Sequence, residues 1–179
     1  MKTAVVYWSK TGFVKKYAEW IAEEIKADLI EGNSISIEAI KNYKSLVFGG
    51  SLYAGGINGA DFMKKVLHNP EFKNKKIAVF AAGASSSTSE VINEVKNNNF
   101  DDQEQQRFKF YYLRGGFDYN KLGFKDKILM NMMKWKLKRK KKSGEKLNGD
   151  EMGMLSAFNE AVDFTDKSSI KSLVEYIKN

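Results

Sequence analysis

Four short segments of this sequence combine hydroxyls, glycines and cations in a way that could hold a ligand, and each follows a β-rich apolar run. The first is Ser9-Lys10-Thr11-Gly12-Phe13-Val14. It joins such a run to a helical pattern, where free backbone N–H groups and the positive end of a helix dipole favour a phosphate. Ser9 and Thr11 add hydroxyls, Gly12 permits a tight turn, and Lys10 or Lys15 adds charge; a plain capped strand–helix turn is the alternative. The second is Gly49-Gly50-Ser51-Leu52-Tyr53-Ala54-Gly55-Gly56. Its small residues would let a flat ring lie against the backbone, with Leu52 or Tyr53 as a wall, and its glycines let a peptide unit turn over at low cost. A flexible loop is the alternative there. The third, Ala82-Gly83-Ala84-Ser85-Ser86-Ser87-Thr88, offers hydroxyls either to a polar ring edge or as N-caps of the next helix. The fourth, Arg114-Gly115-Gly116-Phe117-Asp118-Tyr119, allows close backbone approach and an aromatic lid.

The same residues exclude other chemistry. The first segment is neither G-x-x-x-x-G-K-[ST] nor G-x-G-x-x-G, so nucleoside triphosphate hydrolysis and dinucleotide binding lose support. The chain has no cysteine, which removes disulfides, thiolate metal sites, iron–sulfur clusters and cysteine nucleophiles. Redox chemistry would then have to come from a bound organic cofactor. The single histidine, His68, precedes Asn69-Pro70 and reads as a solvated helix end, which leaves little material for a histidine-based metal site or a Ser-His-Asp triad.

The elements that position these segments are legible from periodicity. Residues 3–8, 27–31, 45–50, 77–82 and 107–113 read as five strands, the first apolar enough to be buried on both faces. Between them, Phe13, Tyr17, Trp20, Ile21 and Ile25, then Phe62, Met63, Val66 and Leu67, recur at helical spacing. Further helices are expected over 88–97 and 122–137. A last one carries Ile170, Leu173, Val174 and Ile177 on one face, with Thr165 or Asp166 as its N-cap. Strands alternating with helices make an α/β protein with a doubly wound parallel sheet. With 179 residues, 42% of them hydrophobic, and no linker-like stretch, one domain over 1–179 is expected.

The order of these segments resembles the flavodoxin family. Ser9-Lys10-Thr11-Gly12 after the first strand resembles its phosphate loop, with Val14 where the family usually has a further Thr. Segments 50–55 and 82–85 lie where flavodoxins grip the isoalloxazine ring of FMN. Ligands of open α/β sheets bind outside the carboxyl ends of the strands where the strand order reverses, a rule of which flavodoxins are themselves a standard illustration. The chain is more similar still to the subgroup that includes menaquinone-dependent protoporphyrinogen oxidase. Gly49-Gly50-Ser51-Leu52-Tyr53, then Leu113-Arg114-Gly115-Gly116-Phe117-Asp118-Tyr119 with a Lys- and Met-rich helix after it, and Val162-Asp163-Phe164-Thr165-Asp166 carry that likeness. It implies a flavodoxin-like three-layer sandwich, strand order 2-1-3-4-5, with an insertion after the fifth strand. It also implies FMN held by Ser9–Val14, by Ser51, Leu52, Tyr53, Ala54 and Gly55, by Gly83, Ala84 and Ser85, and by Arg114, Gly115 and Gly116, for electron transfer or flavin-dependent oxidation. The electron partner would be a redox protein or a quinone.

The formal charge of +8 is local. Residues 121–146 hold ten Lys and one Arg against Asp126 and Glu145. Ile128, Leu129, Met132, Met133 and Leu137 form an apolar stripe among those cations. This basic amphipathic pattern suits an anionic membrane surface, with residues 125–142 as the contact, or a partner redox protein; the alternative is a packed helix with a solvated Lys tail. No recognition-helix or RRM-type pattern points to nucleic acid. Met1-Lys2-Thr3 runs straight into a strand, unlike a signal peptide, and no apolar stretch is long enough to span a bilayer. A cytoplasmic protein is expected, peripheral to the inner face of the membrane if the basic helix binds lipid. A second function class stays open: a flavin-free interaction module that uses this helix on a membrane or a protein partner.

Overall fold

Three apolar runs make the centre of the sheet. β1 (Thr3–Trp8) is buried along its whole length, as are the first seven residues of β3 (Ser45–Tyr53) and all but the first of β5 (Lys76–Gly83). The computed structural model describes residues 2–53 and 55–179, with the backbone alone for Lys125 and Asp150. β2 (Asp28–Glu31) and β6 (Lys109–Arg114) complete a parallel sheet in the order β2-β1-β3-β5-β6, which is the expected 2-1-3-4-5 among the five main strands.

Side chains alternate across a strand, and each face has its own core. On one face Val5, Val47, Ala78 and Phe80 pack under α1 (Phe13–Ile25) and α8 (Lys171–Lys178). On the other, Val6, Phe48 and Val79 pack under α3 (Ala60–His68) and α4 (Ser89–Asn99). Gly49 pairs with Phe80 across β3 and β5, and a Cβ at Gly49 would stand 2.2 Å from the Phe80 ring. The glycine makes room for the aromatic.

Several elements differ from the sequence reading. β3 does not stop at Gly50. It continues through Ser51-Leu52-Tyr53 and pairs antiparallel with β4 (Gly56–Ile57). The glycines that suggest a loose loop are the turn of a hairpin, and Asn99 fixes it: its Oδ1 accepts the Ile57 N–H at 2.7 Å and its Nδ2 donates to the Gly55 carbonyl at 2.8 Å. Helix α2 (Ile37–Ile40) and the single turn α5 (Asp102–Gln105) have too few residues to show a period. Asp166 caps the helical turn 167–170 that leads into α8, its carboxylate accepting the Ser168 N–H at 2.8 Å.

After β6 the chain leaves the sheet. β7 (Gly116–Phe117) and β8 (Val162–Asp163) pair antiparallel at the root of this excursion. Tyr17 pins it, donating to the Arg114 carbonyl at 2.7 Å and accepting the Asp166 N–H at 3.1 Å. The excursion holds α6 (Phe124–Lys142) and α7 (Gly149–Ala157). α6 runs five residues past the expected end, because lysine is a good helix former and cations suit a helix C-terminus; Gly144, at φ +84°, follows its end. The apolar stripe expected on α6 is divided. Leu137 joins Met130, seven residues away on the same line of the helix, and both are buried; Met130 packs in a small cluster with Leu122 and Phe158. Ile128, Leu129, Met132 and Met133 stay exposed.

Candidate functional site

The carboxyl ends of β3 and β5, with the loop after β1 and the N-terminus of α1, form one side of a cleft of about 1050 Å³, and α6 forms the other. This is where the strand order reverses, since the chain runs outward from β1 to β2 on one side and to β3 on the other.

Thr11, Phe13 and Val14 line the cleft from the first segment. Ser51, Leu52, Tyr53 and Gly55 line it from the second, Gly83, Ala84 and Ser85 from the third, and Gly116 from the fourth. Ser9, Lys10 and Gly12 shape the loop rather than the wall. Ser9 Oγ accepts the Gly12 N–H at 3.1 Å. The Lys10 N–H donates to Ser51 Oγ at 3.1 Å, and that hydroxyl donates to the Trp8 carbonyl at 3.1 Å. One serine thus joins the first two segments. Gly115 donates its N–H to the Gly83 carbonyl at 2.7 Å, and Arg114 turns away from the cleft into a neighbouring cavity. Ala54 lies outside the described residues. In the third segment Thr88 takes the cap of α4, accepting the Val91 N–H at 3.3 Å, and Ser85 is left to the cleft.

The floor of the cleft suits an anion. α1 opens on Gly12 at φ +96°, with no side-chain cap and no acidic residue in its first turn. The first N–H groups of a helix have no intrahelical partner, so those of Phe13, Val14 and Lys15 stand available at the positive end of the dipole. The walls suit a flat apolar body. Leu52 and Tyr53 stand on one side and the α6 residues Leu129, Met132 and Met133 on the other.

α6 is tied to the first two segments at its N-terminus. Lys10 Nζ lies 3.0 Å from Asp126 Oδ2 and 4.0 Å from the centre of the Tyr53 ring, and the Tyr53 hydroxyl donates to the Asp126 carbonyl at 3.2 Å. Burial first, and the Asp126 charge second, push the Tyr53 phenol up from its usual range, so it remains a donor at neutral pH. The α6–α7 pair is held by Lys140 Nζ to Glu151 Oε1 at 2.8 Å. Hydrogen bonds from Lys140 and from the Asn148 backbone hold the Glu151 carboxyl below its usual range.

Sequence reasoning missed Asn99, Asp126 and the whole of α7. Only α7 had a sequence signal. Asn148-x-x-Glu151 is a capping box, with both reciprocal bonds formed.

A doubly wound α/β protein with a capacious cleft at its switch point, floored by a helix N-terminus, is a cofactor-binding class. The flavodoxin domain matches residues 4–144, and the chain belongs to the flavodoxin-domain family. Among solved structures it is similar to oxidised flavodoxin 2 from Bacillus cereus, at 20% identity over 64% of this chain and 84% of that one, with a TM-score of 0.50. A WrbA-like flavodoxin from Agrobacterium tumefaciens is 19% identical over 70% of this chain and 87% of that one, with a TM-score of 0.46. A flavoprotein from Lactobacillus acidophilus, solved in complex with FMN, is 17% identical over 63% and 91%, with a TM-score of 0.43. No curated protein matches the sequence.

Proposed function

We propose that the chain acts as one domain that binds FMN and passes electrons through it. The observation that carries this is the pairing, in one cleft, of an uncapped α1 N-terminus with small-residue strand ends and apolar walls. The phosphate would take the N–H groups of α1 together with the Thr11 hydroxyl. Val14 offers only its N–H there. The ring would lie between the 51–55 hairpin and the 83–85 turn, with Tyr53 on one side. Gly116, which lines the cleft, would offer its backbone to the ring, with Gly115 bonded behind it to the Gly83 carbonyl. FMN supplies one- or two-electron transfer when bound; the protein binds it, orients it and excludes water. No titratable side chain is needed as an acid or base.

Within this class, the order of motifs favours an oxidoreductase of the protoporphyrinogen dehydrogenase type over a simple shuttle, with a redox protein or a quinone as acceptor. A peripheral membrane contact fits the same reading. Among the described residues, eight of the nine large exposed apolar side chains fall between Phe124 and Phe164, six of them on the lysine-rich α6. No described helix is long and apolar enough to cross a membrane. Such a protein would work on the inner face of the cytoplasmic membrane.

The test is absorbance of the purified protein after incubation with FMN and desalting. About one flavin retained per chain is expected. A colourless protein that leaves FMN fluorescence unquenched would favour the flavin-free interaction module. Sedimentation with anionic liposomes, with and without residues 125–142, tests the membrane contact; equal pelleting of both forms overturns it.

A further inference from the structure

The cleft does not end at α6. A second cavity of about 610 Å³ adjoins it, sharing Ala84, Ser85, Phe117, Met133, Lys136 and Met154 as common walls. Its volume lies within the roughly 300–1,000 Å³ that holds a small organic ligand. Nothing in the flavin reading requires it.

Two cations face this cavity from opposite elements without a carboxylate in ion-pair range among the described residues. Arg114 stands at the end of β6, and Lys136 on α6. Arg114 is held in place. Its Nε donates to the Ala84 carbonyl at 3.3 Å, and its guanidinium lies 3.8 Å from the centre of the Phe164 ring. Stacking and the Nε bond fix the plane and leave the terminal nitrogens to present the fork that matches a carboxylate. The cavity's other charges are already engaged or peripheral. Lys140 pairs with Glu151, whose carboxyl also feels the Lys136 charge more weakly, and Glu145 accepts from Ser143 Oγ at 3.2 Å. Phe117, Met133, Leu137 and Met154 give the same cavity apolar walls.

We propose that this second cavity binds an apolar carboxylate. The carboxylate sits between Arg114 and Lys136, and the hydrocarbon or aromatic body lies along Phe117, Met133 and Met154 toward the shared wall. A half-buried, stacked arginine and an exposed lysine beside apolar walls favour such a ligand over either a neutral apolar one or a fully hydrated inorganic anion. The proposal does not depend on what fills the larger cleft.

Isothermal calorimetry on the full chain with biphenyl-4-carboxylate and its uncharged amide tests this, each with and without saturating FMN. One carboxylate per chain is expected, bound about tenfold or more tightly than the amide, the share of one charge-assisted hydrogen bond. Arg114→Gln and Lys136→Met should each cost the carboxylate about tenfold and leave the amide unchanged. Saturating FMN should not displace it. Lys136 is on the helix surface, so its variant stays informative if the Arg114 variant fails to fold. Equal binding of acid and amide, no effect of either variant, full displacement by FMN or no binding at all would each overturn the proposal. Failure of flavin retention alone would leave it standing.

Discussion

On one wall of the cleft, β5 is buried at every residue after Lys76. On the other, Ile128, Leu129, Met132 and Met133 of α6 are each at least 42% exposed. The β5 wall is close-packed: Phe80 sits edge-on to Tyr17 and against Gly49. The α6 wall has flexible, unbranched methionines and a root tied by hydrogen bonds and one ion pair. The first wall carries the stability of the fold. The second carries adaptable surface, which costs stability little to change.

This contrast can be broken by mutation, and the largest effect belongs to the packed wall. Phe80→Ala should lose about 3–5 kcal/mol of unfolding free energy, read from urea titration. Trp135→Ala, on exposed α6, should stay within about 0.5 kcal/mol. Similar losses at the two sites would contradict the division. The hairpin lies between these extremes. Asn99→Leu strands the Ile57 N–H and the Gly55 carbonyl and should cost about 1–3 kcal/mol, with hydrogen exchange faster at Ile57 than in β1. Asp126→Asn should cost only about 0.2–1 kcal/mol, since Lys10 and Asp126 are partly solvated. It should nonetheless speed FMN release several-fold in stopped flow, because it unties α6 from the first segment. Unchanged release would show that this contact does not hold the wall.

The smallest effect is on pH dependence at the excursion's root. Partial burial raises the Asp163 carboxyl, but hydrogen bonds from the Thr165 hydroxyl, Lys16 and the Thr165 N–H outweigh that and hold it at about 2. A carboxyl lowered by folding stabilises the native state above its unfolded value near 4, and that contribution fades as pH falls toward the folded one. The melting temperature of the wild type should therefore drop more between about pH 4 and pH 2 than that of Asp163→Asn. Parallel curves would remove Asp163 from the acid response.

The packed wall was legible in the sequence and the adaptable wall was not, for physical reasons. Runs such as Ile77-Ala-Val-Phe-Ala-Ala82 can only be buried strands in a chain of this size, and their order fixes which loops meet at the carboxyl edge. Leu52 and Tyr53 could be read as a ring wall from type alone. Met132 and Met133 could be read as apolar, but not as lining the same cleft, because α6 has two apolar sectors and periodicity does not say which one packs inward. Asn99 gave no signal: a polar residue at a helix end reads as solvated until the hairpin it holds is seen.

Tyr17 has a consequence for how this chain can change over time. Its phenol grips the backbone where the chain departs at Arg114 and where it returns at Asp166. With both ends clamped, what hangs between them is a closed bight. Doubling the length of such a loop adds only about 0.6 kcal/mol of closure entropy. The excursion is in that sense an exchangeable cartridge: it can lengthen, shorten or be rewritten while the frame that receives it stays fixed.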